Sequence, residues 1–143
     1  MLIFRHKKRE VILELLNILA AGAVAWIYGA IHYMVLSKPW LAANKIECDE
    51  NGRPKGNNSP LPFVLSAIAM IVVAGMMRHM FAMSGIASIG GGAIAGFGVG
   101  AFFITPWTII NNAYPGRPFV LSAIDGGYAI IGCTLIGIVL NLF

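Results

Sequence analysis

Charge is what this chain has least of. Only 11% of its 143 residues are Asp, Glu, Lys or Arg, against about 25% in a typical soluble domain. With 58% hydrophobic residues gathered in long runs, lipid rather than water is expected against most of the surface, and no separate soluble domain is expected. Cysteine is almost as scarce. Cys48 lies in a polar stretch and Cys133 in an apolar one, with no CxxC, so neither a disulfide nor a metal site is expected, and Cys133 reads as a small packing residue. There is no HExxH, no His pair at i, i+4, no GxxxxGK[ST] and no GxSxG. No catalytic residue and no cofactor is therefore announced. The net charge of +4 does not point to nucleic acid, because the basic residues sit at the N-terminus and in loops, where anionic headgroups would meet them.

What is present is four apolar runs. The pattern predicts an all-α integral membrane four-helix bundle in a single domain over residues 1–143, with spans at about 11–36, 61–83, 84–112 and 118–143 and a polar loop at 37–60. The first run follows the basic cluster Arg5, Lys7, Lys8, Arg9 and contains Ala21-Gly22-Ala23, which has the look of a signal peptide and its cleavage site. Glu14 and Asn17 interrupt that core and the apolar run continues well past it, so a span is expected instead. The loop carries Lys38, Lys45, Glu47, Asp49, Glu50, Arg53 and Lys55, with turn formers at Asn51-Gly52 and Gly56-Asn57-Asn58. Trp40 should sit at the membrane interface. Pro62 opens the second span, where its missing N–H does no harm. Arg78 near the far end of that span either reaches headgroups or pairs with Glu14.

Gly92, Gly96 and Gly100 fall four apart on one face of the third span. Lipid supplies no hydrophobic drive for helix association, so close backbone approach is the main source of packing energy and such a face marks a helix contact. The spacing leaves open whether the partner is a helix of this chain, a second copy or another protein. Pro106 should kink or end this span and free a carbonyl one turn back. Pro118–Ile124 and Pro62–Ile68 both read PFVLSAI, which suggests two helical hairpins arranged as a parallel repeat. Asp125 has Ala69 as its counterpart, so the carboxylate belongs to one half only.

Asp125 is the residue most in need of explanation. A carboxylate at that depth costs about 2.5–3.5 kcal/mol on insertion scales, so it should have a partner or a use. Antiparallel spans bring Tyr28 and His32 of the first span, Asn111 and Asn112 of the third, and Asp125 and Tyr128 of the fourth to one depth. These six are the candidate proton- or ligand-binding residues, with Asp125 expected to pair with His32, Tyr28 or one of the asparagines. Tyr28, Tyr33, Trp40, Trp107 and Tyr114 also fit an interfacial aromatic belt, and an isolated His is commonly satisfied by a backbone carbonyl. Gly92, Gly96, Gly100, Gly126 and Gly127 are the candidate helix-packing residues.

Gly29-Ala30-Ile31-His32-Tyr33 with Lys38-Pro39-Trp40, and Gly116-Arg117-Pro118 with Ile124-Asp125-Gly126-Gly127-Tyr128, resemble the first- and last-helix signatures of a family of small bacterial membrane proteins. That family is known as domain of unknown function seventeen sixty-one. Its usual Trp before Tyr33 is His32 here, and the His that often follows its last-helix Tyr is Ala129. The resemblance implies four spans and a bacterial inner membrane, and it implies no activity. Basic residues divide evenly between the two sides, with Arg5, Lys7, Lys8, Arg9 and Arg78 on one and Lys38, Lys45, Arg53, Lys55 and Arg117 on the other. The dense N-terminal cluster favours cytoplasmic termini. Two functions fit these features. One is an accessory or interaction subunit of a membrane complex, packing through the glycine face against other membrane helices. The other is a small dimeric transporter or channel in which Asp125 is the proton- or ligand-coupled carboxylate.

Overall fold

A computed structural model describes residues 2–55 and 59–143, with side chains from residue 9 onward. The turn expected at Gly56-Asn57-Asn58 and the side chains of Arg5, Lys7 and Lys8 lie outside the described residues. The chain is all-α. Its helices are α1 (Leu2–Val35), α2 (Ser37–Ala43), α3 (Leu61–Ser84), α4 (Ile89–Gly98), α5 (Thr105–Ala113) and α6 (Phe119–Val139), with a π-helical segment, Val99–Ile104, joining α4 to α5. Four stretches are long and apolar enough to cross a membrane: Arg9–Val35, Leu61–Ser84, Ile89–Ala113 and Phe119–Val139. At 1.5 Å per residue the shortest reaches about 30 Å, the thickness of a hydrocarbon core.

The helix ends follow local chemistry. Gly85, at φ 68° and with its N–H on Phe81 O, stops α3 in the left-handed conformation that glycine adopts freely. Ser88 then caps α4, its Oγ accepting from Gly91 N at 3.0 Å. The third span therefore starts at Ile89 rather than at 84. The polar loop is not featureless either. Its first residues form α2, with Pro39 in the first turn, where proline is tolerated. Asp49 orders the following turn by accepting from Asn51 N at 2.9 Å and Arg53 N at 2.8 Å.

Pro106 does not end the third span. Its ring and missing N–H are incompatible with a regular preceding turn. The backbone widens instead, so that Thr105 N–H reaches Gly100 O, five residues back. Thr105 Oγ1 also donates to Gly100 O at 2.7 Å. The π-helical segment is thus the accommodation of one proline within an otherwise continuous helix.

α6 is the central helix and packs against α1, α2, α3, α4 and α5. Against α4 and the π-helical segment it packs backbone to backbone. A Cβ on Gly92 would collide with Gly137 O, one on Gly96 with Cys133 O, and one on Gly100 with Ala129 O and Ile130 Cα. The glycine face of the third span is therefore filled by α6 of the same chain. Gly126 faces Thr105, whose Cγ2 would stand 2.8 Å from an added Cβ, whereas Gly127 meets only His32 Cε1, at an ordinary 3.7 Å. α1 lies between α3 and α6, and α3 stands apart from α4 and α5.

The C-terminal end of α6 leaves backbone carbonyls without helical partners. Asn17, 1% exposed, donates to Val139 O at 3.2 Å and Phe143 O at 3.1 Å, and Arg78 donates to Leu140 O at 3.3 Å. Arg78 also pairs with Glu14 at 3.3 Å on the exposed surface, a contact of small energetic weight.

A Cβ at Gly96 must displace α6 backbone, while one at Gly98 meets nothing within 4 Å. Gly96→Ala should cost about 1–3 kcal/mol or more of unfolding free energy by overpacking. Gly98→Ala should be neutral or mildly stabilising, because alanine is the better helix former. Denaturation in detergent followed by circular dichroism separates the two, and equal behaviour would refute this account of the α4–α6 interface.

Candidate functional site

One stripe on α1 faces α6 along most of its length. Asn17, Ala21, Ala25, Gly29 and Tyr33 are spaced by four, so each lies about 40° round the helix from the one before and the stripe winds around α1. Asn17 binds the α6 terminus, and Ala21 and Ala25 are fully buried. Gly29 receives the ring of Tyr128, whose Cε2 would be 2.8 Å from an added Cβ. Tyr33, the last of the stripe, reaches Asp125.

Tyr33 Oη donates to Asp125 Oδ1 at 2.8 Å. Among the described residues it is the one donor to this carboxylate, and no cation pairs with it. His32 is not the partner. Its Nε2 lies 2.9 Å from Ile124 O and its Nδ1 3.0 Å from Tyr28 Oη. A carbonyl can only accept, so Nε2 carries the proton, and in the neutral ring Nδ1 accepts from Tyr28. Tyr128 Oη points back to Ala25 O at 3.5 Å.

The rings make a continuous cluster. Tyr33 meets Trp40 of α2 edge to face at 6.1 Å and Tyr128 at 5.5 Å, and Tyr28 stacks on Tyr128 at 6.2 Å. Such arrangements add about 0.5–1.5 kcal/mol per pair to the area they bury. Trp40 thus anchors α2 onto the aromatic cluster, so the short helix closes the site toward the Pro118 end of the bundle.

The asparagines do not join Asp125. Asn112 is buried, donates to Ser122 Oγ at 3.2 Å and accepts from Arg117 at 3.4 Å. Asn111 is exposed. Four of the six expected site residues, Asp125, Tyr128, His32 and Tyr28, therefore stand together, with Tyr33 as the hydrogen-bonding partner that the expectation passed over. The i, i+4 spacing of Tyr33 from Gly29 was the signal that could have found it. Trp107 and Tyr114 are exposed, at 67% and 90%, as interfacial aromatics would be.

Because α3 stands apart from α5, a half-open cavity of about 210 Å³ remains between them. Met70 and Val73 of α3 form one wall, and Ile104 and Thr108 the other. Its floor is α6, with Asp125, Tyr128, Ala129, Gly132 and Cys133, and Tyr33 closes one end. The groove is apolar apart from the Asp125–Tyr33 end. Thr108 keeps its hydroxyl proton on Ile104 O at 3.0 Å. No cluster of three or more His, Cys, Asp or Glu suited to a metal occurs among the described residues.

A family model described as "Protein of unknown function (DUF1761)" matches residues 16–141. That range holds every residue of the groove and of the hydrogen-bonded cluster. No curated protein and no solved structure matches the chain.

The Tyr33–Asp125 bond links α1 to α6 inside the span. Hydrogen bonds between membrane helices are worth about 0.6–2 kcal/mol. A double-mutant cycle of Tyr33→Phe and Asp125→Asn, read by unfolding in detergent, should return a coupling energy in that range. The corresponding cycle of His32→Phe with Asp125→Asn should return close to zero.

Proposed function

We propose that this chain, which belongs to the DUF1761 family of proteins of unknown function, is a small membrane transporter or carrier that binds its ligand at Asp125. The observation that carries this reading is a carboxylate with one neutral donor and no cationic partner among the described residues, facing a half-open apolar groove. Within a span such a group is costly unless it takes up a proton or a ligand. A carboxylate serving only as a packing staple needs no cavity beside it. The groove is mostly apolar with its polar groups gathered at one end, a lining shared with small-molecule sites, but at about 210 Å³ it is smaller than the roughly 300–1,000 Å³ usual for drug-sized ligands.

The interaction-subunit reading rested on a glycine face free to meet a partner. Gly92, Gly96 and Gly100 lie against α6, so that face offers no support for it. A homo-oligomer in the bacterial inner membrane is the assembly and location proposed with the transporter reading. The basic residues ahead of the first span favour cytoplasmic termini.

Proteoliposomes holding the purified chain and a trapped pH-sensitive dye provide the test. An imposed pH gradient should collapse faster than in empty vesicles, and Asp125→Asn should restore the slow rate. Equal rates for the variant and the unmodified protein, or purification in mild detergent as a defined heteromeric complex, would return the reading to an interaction subunit. A reporter fused after Phe143 should be active in the cytoplasm, and activity only outside it would reverse the orientation.

A further inference from the structure

We propose that the groove takes a small lipophilic organic cation, an amine or quaternary ammonium with an apolar body, and that this cation and a proton compete for Asp125. The inference rests on the transporter reading above and names its class of ligand.

The charge argument comes first. Among the described residues Asp125 is the one carboxylate that lines the groove, and Tyr33 Oη satisfies a single site on it, at 2.8 Å. An ionised carboxylate offers about four acceptor sites on two oxygens. An anion would be repelled there, and a neutral ligand would leave the charge uncompensated in an apolar surround. A monovalent cation or a proton neutralises it.

The lining then selects among cations. A hard metal ion requires about six oxygen ligands. This groove offers one carboxylate, two phenols and a threonine hydroxyl already donating to Ile104 O. The remaining walls are hydrocarbon, the Met70 thioether and the Cys133 thiol. Tyr33 and Tyr128 both line the groove beside Asp125, their rings 5.5 Å apart and inclined at 64°. Aromatic rings attract organic cations through the negative potential over their faces. A cavity of about 150 Å³ accepts benzene, so one of about 210 Å³ suits a single ring with a compact ammonium head.

Proton competition depends on what else titrates nearby. From α1 the titratable groups are His32 and Tyr33, and from α6 itself Tyr128 and Cys133. α3 presents Met70 and Val73, the π-helical segment Ile104 and α5 Thr108, none of which titrates. On α2, Lys38 is exposed and makes no ion pair with Asp125, and Trp40 touches Tyr33. His32 is held between Tyr28 and the Ile124 carbonyl. Among the described residues His32 does not line the groove, so the charge that a bound ligand meets directly is that of Asp125.

The experiment is equilibrium binding of phenyltrimethylammonium, and of its neutral isostere tert-butylbenzene, to the full chain in detergent. The cation should bind saturably and its affinity should fall about tenfold or more in Asp125→Asn, with tert-butylbenzene indifferent to that change. In the unmodified protein, lowering the pH should release the cation and leave the neutral isostere bound, a readout that requires no variant to fold. If tert-butylbenzene binds as well as the cation and neither responds to pH or to Asp125→Asn, the groove is a ligand site but the cation assignment is overturned. If neither compound binds, the cation assignment is likewise overturned, while the proton-flux assay above decides separately whether the transporter reading stands.

Discussion

The contact on which the rest of this structure depends is the approach of one backbone to another along α4 and α6. Gly92 and Gly96 on α4 and Gly100 in the π-helical segment meet Gly137, Cys133 and Ala129 on α6, which are themselves four apart. In lipid, where apolar side chains gain nothing by leaving their surroundings, dispersion and close fit have to hold helices together. Small residues allow that fit. With α4 seated on one side and the Asn17-to-Tyr33 stripe of α1 on another, α6 is fixed at the centre. α3 is left to pack mainly on α1, and most of its large apolar residues face outward. The groove between α3 and α5 is a consequence of that arrangement.

The two PFVLSAI segments stand in different surroundings. In the first, Trp26 Nε1 of α1 donates to Ser66 Oγ at 3.0 Å. In the second, Asn112 of α5 donates to Ser122 Oγ at 3.2 Å. Each repeat serine thus accepts from the span that precedes it, at the same end of its hairpin. The next corresponding pair, Ala69 and Asp125, diverges in environment as well as in chemistry. Ala69 is exposed on the outer helix, and Asp125 is half-buried on the central one. Only the central position has neighbours on several sides with which a carboxylate could be made useful.

How much of this was legible in the sequence depends on the kind of information each feature needs. The all-α membrane fold follows from composition and run length, which require no knowledge of neighbours. The start of the third span at Ile89 was legible in principle from Gly85 and Ser88, since a left-handed glycine and a serine cap act locally. The short helix α2 and the π-helical passage through Pro106 were less so. A proline requires some accommodation, but whether the helix kinks, stops or widens depends on what packs around it. Asp125 stood out because a carboxylate in an apolar run is conspicuous, whereas its partner did not. Tyr33 and His32 are adjacent in sequence but about 100° apart around the helix. Choosing between them requires the rotation of α1 against α6, and Gly29 settles that rotation by making room for Tyr128.

The same geometry explains why a carboxylate can persist at this position. The groove floor, Asp125, Tyr128, Ala129, Gly132 and Cys133, is the face of α6 that neither α1 nor α4 fully covers. A large apolar residue at 125 would extend that floor into the space between α3 and α5 and lose the bond that ties α6 to Tyr33. An unbonded carboxylate there would bear the full cost of its charge. Asp125 avoids both through a single neutral donor, which orients it without neutralising it. A cationic partner such as Arg would have fixed the charge and made the position structural. The phenol of Tyr33 holds the carboxylate in place and brings no opposite charge to it, which is the feature on which the proposed ligand site depends.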